Sequence, residues 1–264
     1  MYKIFSFISL FVFILTSCTD TNVSAQNLAD INQLYENNIN KSYESIDYEN
    51  RATVLNSIQT QLLSFFNSKA SLTTDISKSL PFIHVGISDD NRLKVFSYDT
   101  VTGGSLEEVN CILQYIPSTG NPYAISISEL LSPNDFGAGA FYSSIYPLDN
   151  NVYLLVGSFN GDGRTRVTKY FTIKVENNRI MSYQAFNGKS LLSEEEDRFA
   201  REEGNEKFKL FQQLPYVIDI AVNSQSRIRE PTVNNSTYYI ELRQTGCLFY
   251  FDGEKYVGDY NRLE

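Results

Sequence analysis

The chain has 264 residues, of which 42% are hydrophobic and 14% aromatic, and its formal net charge is −9. This length allows one large domain or two small ones. The acidic balance argues against binding to nucleic acid or electrostatic binding to anionic lipid, because both need clustered lysine and arginine. The 18 tyrosines and 18 phenylalanines, with many Ile, Val and Thr, favour strands.

Residues 1–17 have the layout of a secretory signal peptide. Lys3 is followed by an apolar run at residues 4–15, which is shorter than the ~20 residues of a membrane-spanning helix. The run ends in Leu15-Thr16-Ser17-Cys18, which resembles the lipobox of bacterial lipoprotein precursors. The resemblance implies cleavage before Cys18 and attachment of lipid to its thiol and its new amino group. An ordinary secretory peptide with a chance cysteine is the alternative.

Residues 18–42 are polar and predict a tether between the lipid and the rest of the chain, in which a short helix around residues 28–35 is an option. Residues 43–264 are expected to form a single β-rich domain. A helix at about residues 44–67 would open this domain, because apolar residues there follow helical spacing. They are Leu55, Ile58, Leu62 and Phe65.

From residue 81 the pattern changes to short strands separated by turns rich in Asn, Asp and Gly, which tolerate the positive φ of hairpin turns. Ser193 begins a capping box that predicts one inserted helix, and Pro215 ends it at the latest. The strands are expected at residues 82–88, 92–100, 109–116, 123–128, 140–148, 152–159, 166–176, 179–186, 216–222, 237–242, 247–251 and 255–259.

These elements predict a mainly β fold. The strands would form an antiparallel meander, arranged as a sandwich, a barrel or a small propeller, with an N-terminal helix and one inserted helix. A parallel βαβ rhythm is missing from the pattern. The stretch LKVFSYDTVTGGS (93–105) resembles uncharacterised lipoproteins and secreted proteins of Gram-negative bacteria, although Tyr98 stands where Trp is more usual and Leu106-Glu107-Glu108 replaces a more aromatic continuation. The resemblance is diffuse over residues 55–258. It implies a shared fold and brings no activity.

The sequence offers few residues for catalysis or for a cofactor. His84 is the one histidine, it lies inside a predicted strand, and no Gly-x-Ser-x-Gly elbow accompanies it, so a structural role is expected. Neither a P-loop nor a complete dinucleotide loop occurs, and no cofactor is predicted. A calcium loop around Asn160 and Asp162 is disfavoured, because Lys169 stands where a bidentate acid is needed. No metal site is predicted. Cys111 and Cys247 either pair or remain as buried thiols.

Acid pairs for glycoside hydrolysis could be drawn from Asp89/Asp90, Glu107/Glu108 or Glu194–Asp197. Adjacent strand residues point to opposite faces, so neither of the first two doublets is itself a catalytic pair. The most site-like cluster is Tyr98, Asp99, Gly103 and Gly104, which combines an aromatic ring, an acid and a glycine bend. It is either a site for a ligand such as a sugar or a tight turn in which Asp99 caps nearby amides.

The sequence therefore predicts a lipid-anchored protein of the bacterial cell envelope, expected in the outer membrane. The lipid on Cys18 is expected to attach the protein to the membrane. The exported domain is interpreted as a non-catalytic module that binds a protein or a glycan or supports an assembly. The alternative is an envelope glycan hydrolase that uses an Asp/Glu pair.

Overall fold

Helices precede the first strand. They are α1 (Ala25–Asn38), α2 (Tyr48–Phe66) and the short α3 (Ile76–Ser79), which Asp75 caps by accepting a 3.2 Å hydrogen bond from the amide of Lys78. The structure is a computed structural model and describes residues 25–39, 48–101, 107–131, 139–162, 165–185, 216–222, 233–234, 237–241 and 248–258. Within these ranges, none of the helices is long and apolar enough to cross a membrane.

The strands form antiparallel sheets. The first sheet has the order β1-β2-β3-β4, the second β5-β6-β7-β8 with β9 also paired to β7, and the C-terminal sheet β10-β11-β12-β13. Their bounds are β1 (His84–Ile87), β2 (Leu93–Asp99), β3 (Val109–Tyr115), β4 (Tyr123–Ser126), β5 (Phe141–Pro147), β6 (Val152–Asp162), β7 (Thr165–Glu176), β8 (Arg179–Ser182), β9 (Tyr216–Val222), β10 (Val233–Asn234), β11 (Thr237–Glu241), β12 (Leu248–Phe251) and β13 (Tyr256–Gly258).

The first sheet is buried on both faces. Successive strand residues alternate between faces, so Phe96 and Tyr98 of β2 lie with Ile112 of β3 beneath α1 and α2. Phe96 stacks on Phe66 of α2, with 3.8 Å between ring centroids. The helices are held there by an apolar stripe on each, made of Leu28, Ile31, Tyr35 and Ile39 at α1 and Ile58, Leu62, Phe65 and Phe66 on α2.

The edge of β4 is closed by one side chain. The carboxamide of Asn67 donates to the Ala124 carbonyl (3.1 Å) and accepts from the Ala124 amide (2.9 Å). These are the bonds that a neighbouring strand would otherwise make. Asn67 therefore protects an edge that could pair with another chain.

The other face of the first sheet packs on the second sheet. Both sheets contribute to one core, which includes Leu93, Val95, Leu113, Tyr115, Tyr142, Tyr153, Leu155, Phe171 and Ile173. At one side the two sheets approach backbone to backbone, since Ser88 forms a parallel bridge with Ile145. A Cβ built on Gly86 would lie 2.3 Å from the carbonyl oxygen of Tyr142, so the approach requires glycine at this position.

The outer face of the second sheet is covered by the hairpin of β12 and β13. Phe251 and Tyr256 pack against Leu154, Val156 and other residues of this face. The amide of Tyr256 donates to the carbonyl of Ala185 at 2.7 Å. The hairpin therefore belongs to the same packed unit as the second sheet.

The expected mainly β, antiparallel fold is confirmed. The two large sheets face each other as a sandwich, and none of the described pairings closes a sheet into a barrel. The predicted opening helix is α2. The predicted tether, residues 18–42, includes α1, whose apolar stripe is buried from Leu28 onward. The inserted helix predicted after Ser193 lies outside the described residues.

Candidate functional site

Tyr98 and Asp99, two of the four predicted site residues, are the last residues of β2. The Tyr98 ring is fully buried and contacts Tyr35 and Phe82 edge-on, at centroid distances of 6.5 and 5.9 Å. Burial raises the pKa of its hydroxyl to about 12. The ring is part of the core beneath α1 and has no face open for a ligand to stack on.

Asp99 sits in a tight turn. Its Oδ1 accepts a 2.7 Å hydrogen bond from the amide of Val101, two residues ahead. Burial raises the pKa of the Asp99 carboxyl, and this hydrogen bond opposes the rise. Val101 has φ +54°, a left-handed conformation that is rare for a β-branched residue. Gly103 and Gly104, the other two predicted site residues, lie outside the described residues.

A buried arginine ties this turn to the helices. The Arg51 guanidinium donates from Nη1 to the carbonyl of Val101 (2.5 Å) and from Nη2 to the carbonyl of Ile39 (2.6 Å). Tyr35 donates to the main-chain oxygen of Asp99 at 2.9 Å. The Nε of Arg51 is buried and has no hydrogen-bond partner among the described residues. These contacts hold the turn after β2 against α2 and the C-terminal end of α1.

Asp90, from the first acid doublet, organises the β1–β2 turn. It accepts hydrogen bonds from the Ser88 hydroxyl (2.5 Å), the Arg92 amide (3.1 Å) and the Tyr153 hydroxyl (2.8 Å). Burial alone would raise the pKa of Asp90, but these hydrogen bonds hold it below its ordinary value. Tyr153 lies on β6, so this contact fastens the turn of the first sheet to the second sheet.

Glu107, from the second doublet, lies at the opposite end of the β2–β3 hairpin. Its carboxylate accepts from the amide and the side-chain Nδ2 of Asn160, at 2.7 and 2.8 Å. The seven residues of β2 separate this end from Asp90, a distance of roughly 20 Å at ~3.3 Å per residue. The two doublets are therefore too far apart for the ~5–10 Å of a glycosidase pair. Glu194–Asp197 lies outside the described residues.

The remaining predicted positions have structural surroundings. His84 is exposed at the start of β1 and meets the ring of Phe141 edge-on. Asp162 pairs with Thr165 in the β6–β7 hairpin, as the turn interpretation predicted. Among the described residues, no group of three or more His, Cys, Asp or Glu side chains could hold a metal ion.

Two reactive groups are buried between the sheets. The Cys111 thiol is free and lies 3.1 Å from the carbonyl oxygen of Ala140, and burial raises its pKa to about 11. The Lys169 ammonium donates to the carbonyl of Gly139 at 3.2 Å and lies 5.0 Å from the centre of the Phe159 ring. Burial lowers the Lys169 pKa to about 8. Cys18 and Cys247 lie outside the described residues, so the lipid attachment and the Cys111–Cys247 pairing remain predictions.

The structure also forms an open groove that the sequence did not indicate. It lies beside the C-terminal hairpin, is open to solvent and has a volume of about 570 Å³. We call it the polar groove. The residues that line it come from the 3₁₀ turn before β6, the β7–β8 hairpin, the segment after β8 and the β12–β13 turn. Its polar side chains are Asn150, Asn151, Lys174, Glu176, Asn177, Tyr183 and Glu254.

Neighbouring contacts fix the walls of the polar groove. The Nδ2 of Asn150 donates to the carbonyl of Gly253 at 3.0 Å. The hydroxyl of Tyr183 donates to the main-chain oxygen of Glu254 at 2.8 Å. Both bonds join the β12–β13 turn to the rest of the groove, so its two sides are held together before any ligand arrives.

Comparison with known proteins adds no relative. No family model, curated protein or solved structure matches the chain. Function is therefore inferred from the residues and their geometry alone.

Proposed function

We propose that this chain is a lipid-anchored protein of the bacterial cell envelope, attached to the outer membrane through Cys18. Its exported part would be a non-catalytic module for binding or assembly. The observation that carries the anchor is the sequence Leu15-Thr16-Ser17-Cys18 directly after a short apolar run. Acyl chains on Cys18 would supply ample membrane affinity, at ~0.8 kcal/mol for each buried CH₂.

The start of α1 limits how far the domain can stand from the lipid. Only residues 19–24 lie between Cys18 and the first residue of α1. A chain of this length spans at most roughly 25 Å when fully extended. The docked helix therefore favours a domain that works close to the membrane surface rather than on a long tether.

The positions of the acids favour binding over catalysis. Asp90 and Glu107 lie at opposite ends of the first sheet, and both already accept hydrogen bonds that fasten loops. Carboxylates used in this way stabilise the fold and are not free to transfer protons.

A glycan hydrolase is the second candidate, because Glu176 and Glu254 line the same groove. Two properties disfavour it. Glu176 is paired with Lys174 at 2.6 Å, and both side chains are partly exposed to solvent. A glycosidase acid needs an environment that keeps it protonated near neutral pH. An open groove with an ion pair serves binding better than proton transfer.

The anchor is tested by replacing Cys18. Cells expressing the full chain would be fed an alkyne analogue of palmitate, and label and membrane fractionation would be followed. We expect the wild type and the matched control Cys247→Ala to carry the label and remain with the membranes. Cys18→Ala should lose the label and leave the membranes. Retention of both by Cys18→Ala would refute the anchor.

A further inference from the structure

We propose that the polar groove binds a neutral saccharide. The proposal names the ligand of the binding module and therefore rests on the binding half of the proposed function. It is independent of the lipid on Cys18, and the experiment below is chosen so that each can fail alone.

Unused hydrogen-bonding groups give the groove its chemistry. Asn151 and Asn177 are exposed, and neither side chain makes a hydrogen bond with another described residue. Among the residues that the structure describes, the Glu254 carboxylate also has no hydrogen-bond or ion-pair partner. A carboxamide offers donors and acceptors side by side, and a carboxylate offers acceptors. This mixture matches the hydroxyls of a sugar, each of which both donates and accepts.

An aromatic ring stands beside these groups. Tyr183 is half-buried, and its amide donates to the carbonyl of Thr172 at 3.1 Å. With its hydroxyl held by Glu254, the ring is fixed at both ends. A fixed tyrosine offers apolar contact area at little cost in conformational entropy. Part of the ring packs against the apolar cluster on the outer face of the second sheet, and the Lys174 ammonium lies 5.8 Å from the ring centre. The part of the ring that remains exposed can contact the C–H groups of a pyranose.

The charges in the groove favour a neutral ligand. Lys174 and Glu176 form an ion pair at 2.6 Å and cancel each other. Glu254 is then the one other charged residue among those that line the groove, and its negative charge repels anionic ligands. Since Lys174 also lies 5.8 Å from the centre of the Tyr183 ring, its ammonium would oppose a divalent cation in the same space.

The backbone at both asparagines shows how to remove the carboxamides without disturbing the fold. Asn151 has φ +59° and Asn177 has φ +50°, where glycine is accommodated more readily than alanine. The double variant Asn151→Gly/Asn177→Gly therefore deletes the binding groups and keeps both turns. Asn91→Gly is the matched control, because Asn91 is also exposed, has φ +58° and lies in the β1–β2 turn outside the groove.

The test is calorimetric titration of the full chain in detergent micelles. The probes are chitotetraose, cellotetraose and maltotetraose, with tetragalacturonate as an anionic probe. We expect at least one neutral tetrasaccharide to bind, and to bind about tenfold or more weakly to Asn151→Gly/Asn177→Gly, since two sets of hydrogen bonds are lost. Asn91→Gly should bind like the wild type, and tetragalacturonate should bind more weakly than the neutral probe.

Several results would overturn the saccharide proposal. They are no binding of any neutral probe at millimolar concentration, equal binding by the double variant, and preference for the anionic probe. Cleavage of a tetrasaccharide that stops in Glu254→Gln would instead overturn the non-catalytic function. Loss of saccharide binding by a protein that still carries palmitate on Cys18 would leave the anchor intact.

Discussion

Asp90 provides a sharp test of how the two sheets are joined. Replacing Asp90 with Asn keeps the size of the side chain and removes its charge. The wild-type carboxylate accepts from Ser88, the Arg92 amide and Tyr153. An amide in its place has one oxygen to accept with and turns an NH₂ group towards at least one of these donors. Asp90→Asn should therefore loosen the turn that fastens the first sheet to the second.

The expected loss in the free energy of unfolding is about 1–2 kcal/mol. Hydrogen bonds to charged groups contribute ~1.5–3 kcal/mol when buried. Asp90 is exposed, so solvent screening places its bonds at or below the low end of this range. For a chain of this size, each kcal/mol lowers the melting temperature by about 2–4 °C. Urea unfolding and thermal unfolding at pH 7 would both measure the change.

The pH dependence follows from the lowered pKa of Asp90. Its hydrogen bonds outweigh the effect of burial and hold the pKa below the ordinary value of 3.8. A carboxyl with a lowered folded-state pKa stabilises the fold above its unfolded-state pKa, and this contribution disappears as the pH falls through the folded-state value. The difference between wild type and Asp90→Asn should therefore shrink below about pH 4.

Asp89→Asn is the matched control, because Asp89 is the neighbour of Asp90 in the same turn, is also exposed, and takes no part in the hydrogen bonds to Ser88, Arg92 and Tyr153. It should change the unfolding free energy by less than about 0.5 kcal/mol, as is usual for surface positions. The reasoning is refuted if Asp90→Asn is as stable as Asp89→Asn at pH 7, or if its deficit is the same at pH 7 and pH 2.5.

Two further changes test the packing of the sheets. Gly86→Ala places a methyl group 2.3 Å from the Tyr142 carbonyl oxygen; we expect a loss of about 2 kcal/mol or more by urea unfolding, and a loss under about 0.5 kcal/mol would contradict the backbone approach of β1 and β5. Asn67→Ala removes both hydrogen bonds to Ala124; it should cost about 1–2 kcal/mol and expose the β4 edge, whereas Asn56→Ala, on the exposed face of α2, should be neutral. Equal stability of the two variants would contradict the edge role.

The strands and their turns were predictable because the signals are local. In β7, one face carries Val167, Lys169, Phe171, Ile173 and Val175, which are all buried, and Tyr170 and Thr172 of the other face are buried as well. The turn to β8 was marked by two asparagines, Asn177 and Asn178, and both have positive φ. Alternation and turn residues determine such hairpins without reference to the rest of the chain.

The packing of α1 against the rest of the domain was harder to predict from the sequence. Its apolar residues are sparse and lie among Asn, Asp, Gln and Glu, so the segment has the composition of a tether. Burial of Ile31 and Tyr35 depends on the surface that β2 and α2 offer, and Tyr35 stacks on Phe82 at 3.9 Å. Only the spacing of Leu28, Ile31 and Tyr35 could have indicated this helix face.

The polar groove could not be predicted from local patterns. Asn150, Asn177 and Glu254 are far apart along the chain and meet only after the C-terminal hairpin has packed on the second sheet. In the sequence, each asparagine pair indicated a turn, and each pair does form one. The sequence did not indicate that these turns also line a groove. In contrast, Tyr98 and Asp99 indicated a ligand site through their local sequence. The structure instead buries Tyr98 in the core and uses Asp99 to cap a turn.

Mass spectrometry of the N-terminal peptide of the mature protein tests the central claim most directly. The protein would be purified from the membrane fraction of cells that express the full chain, and its N-terminal peptide would be sequenced and weighed. We predict a peptide that begins at Cys18 and carries a diacylglyceryl group and an amide-linked acyl chain. A peptide that contains unmodified Cys18, or that begins at any other residue, would contradict the lipid anchor.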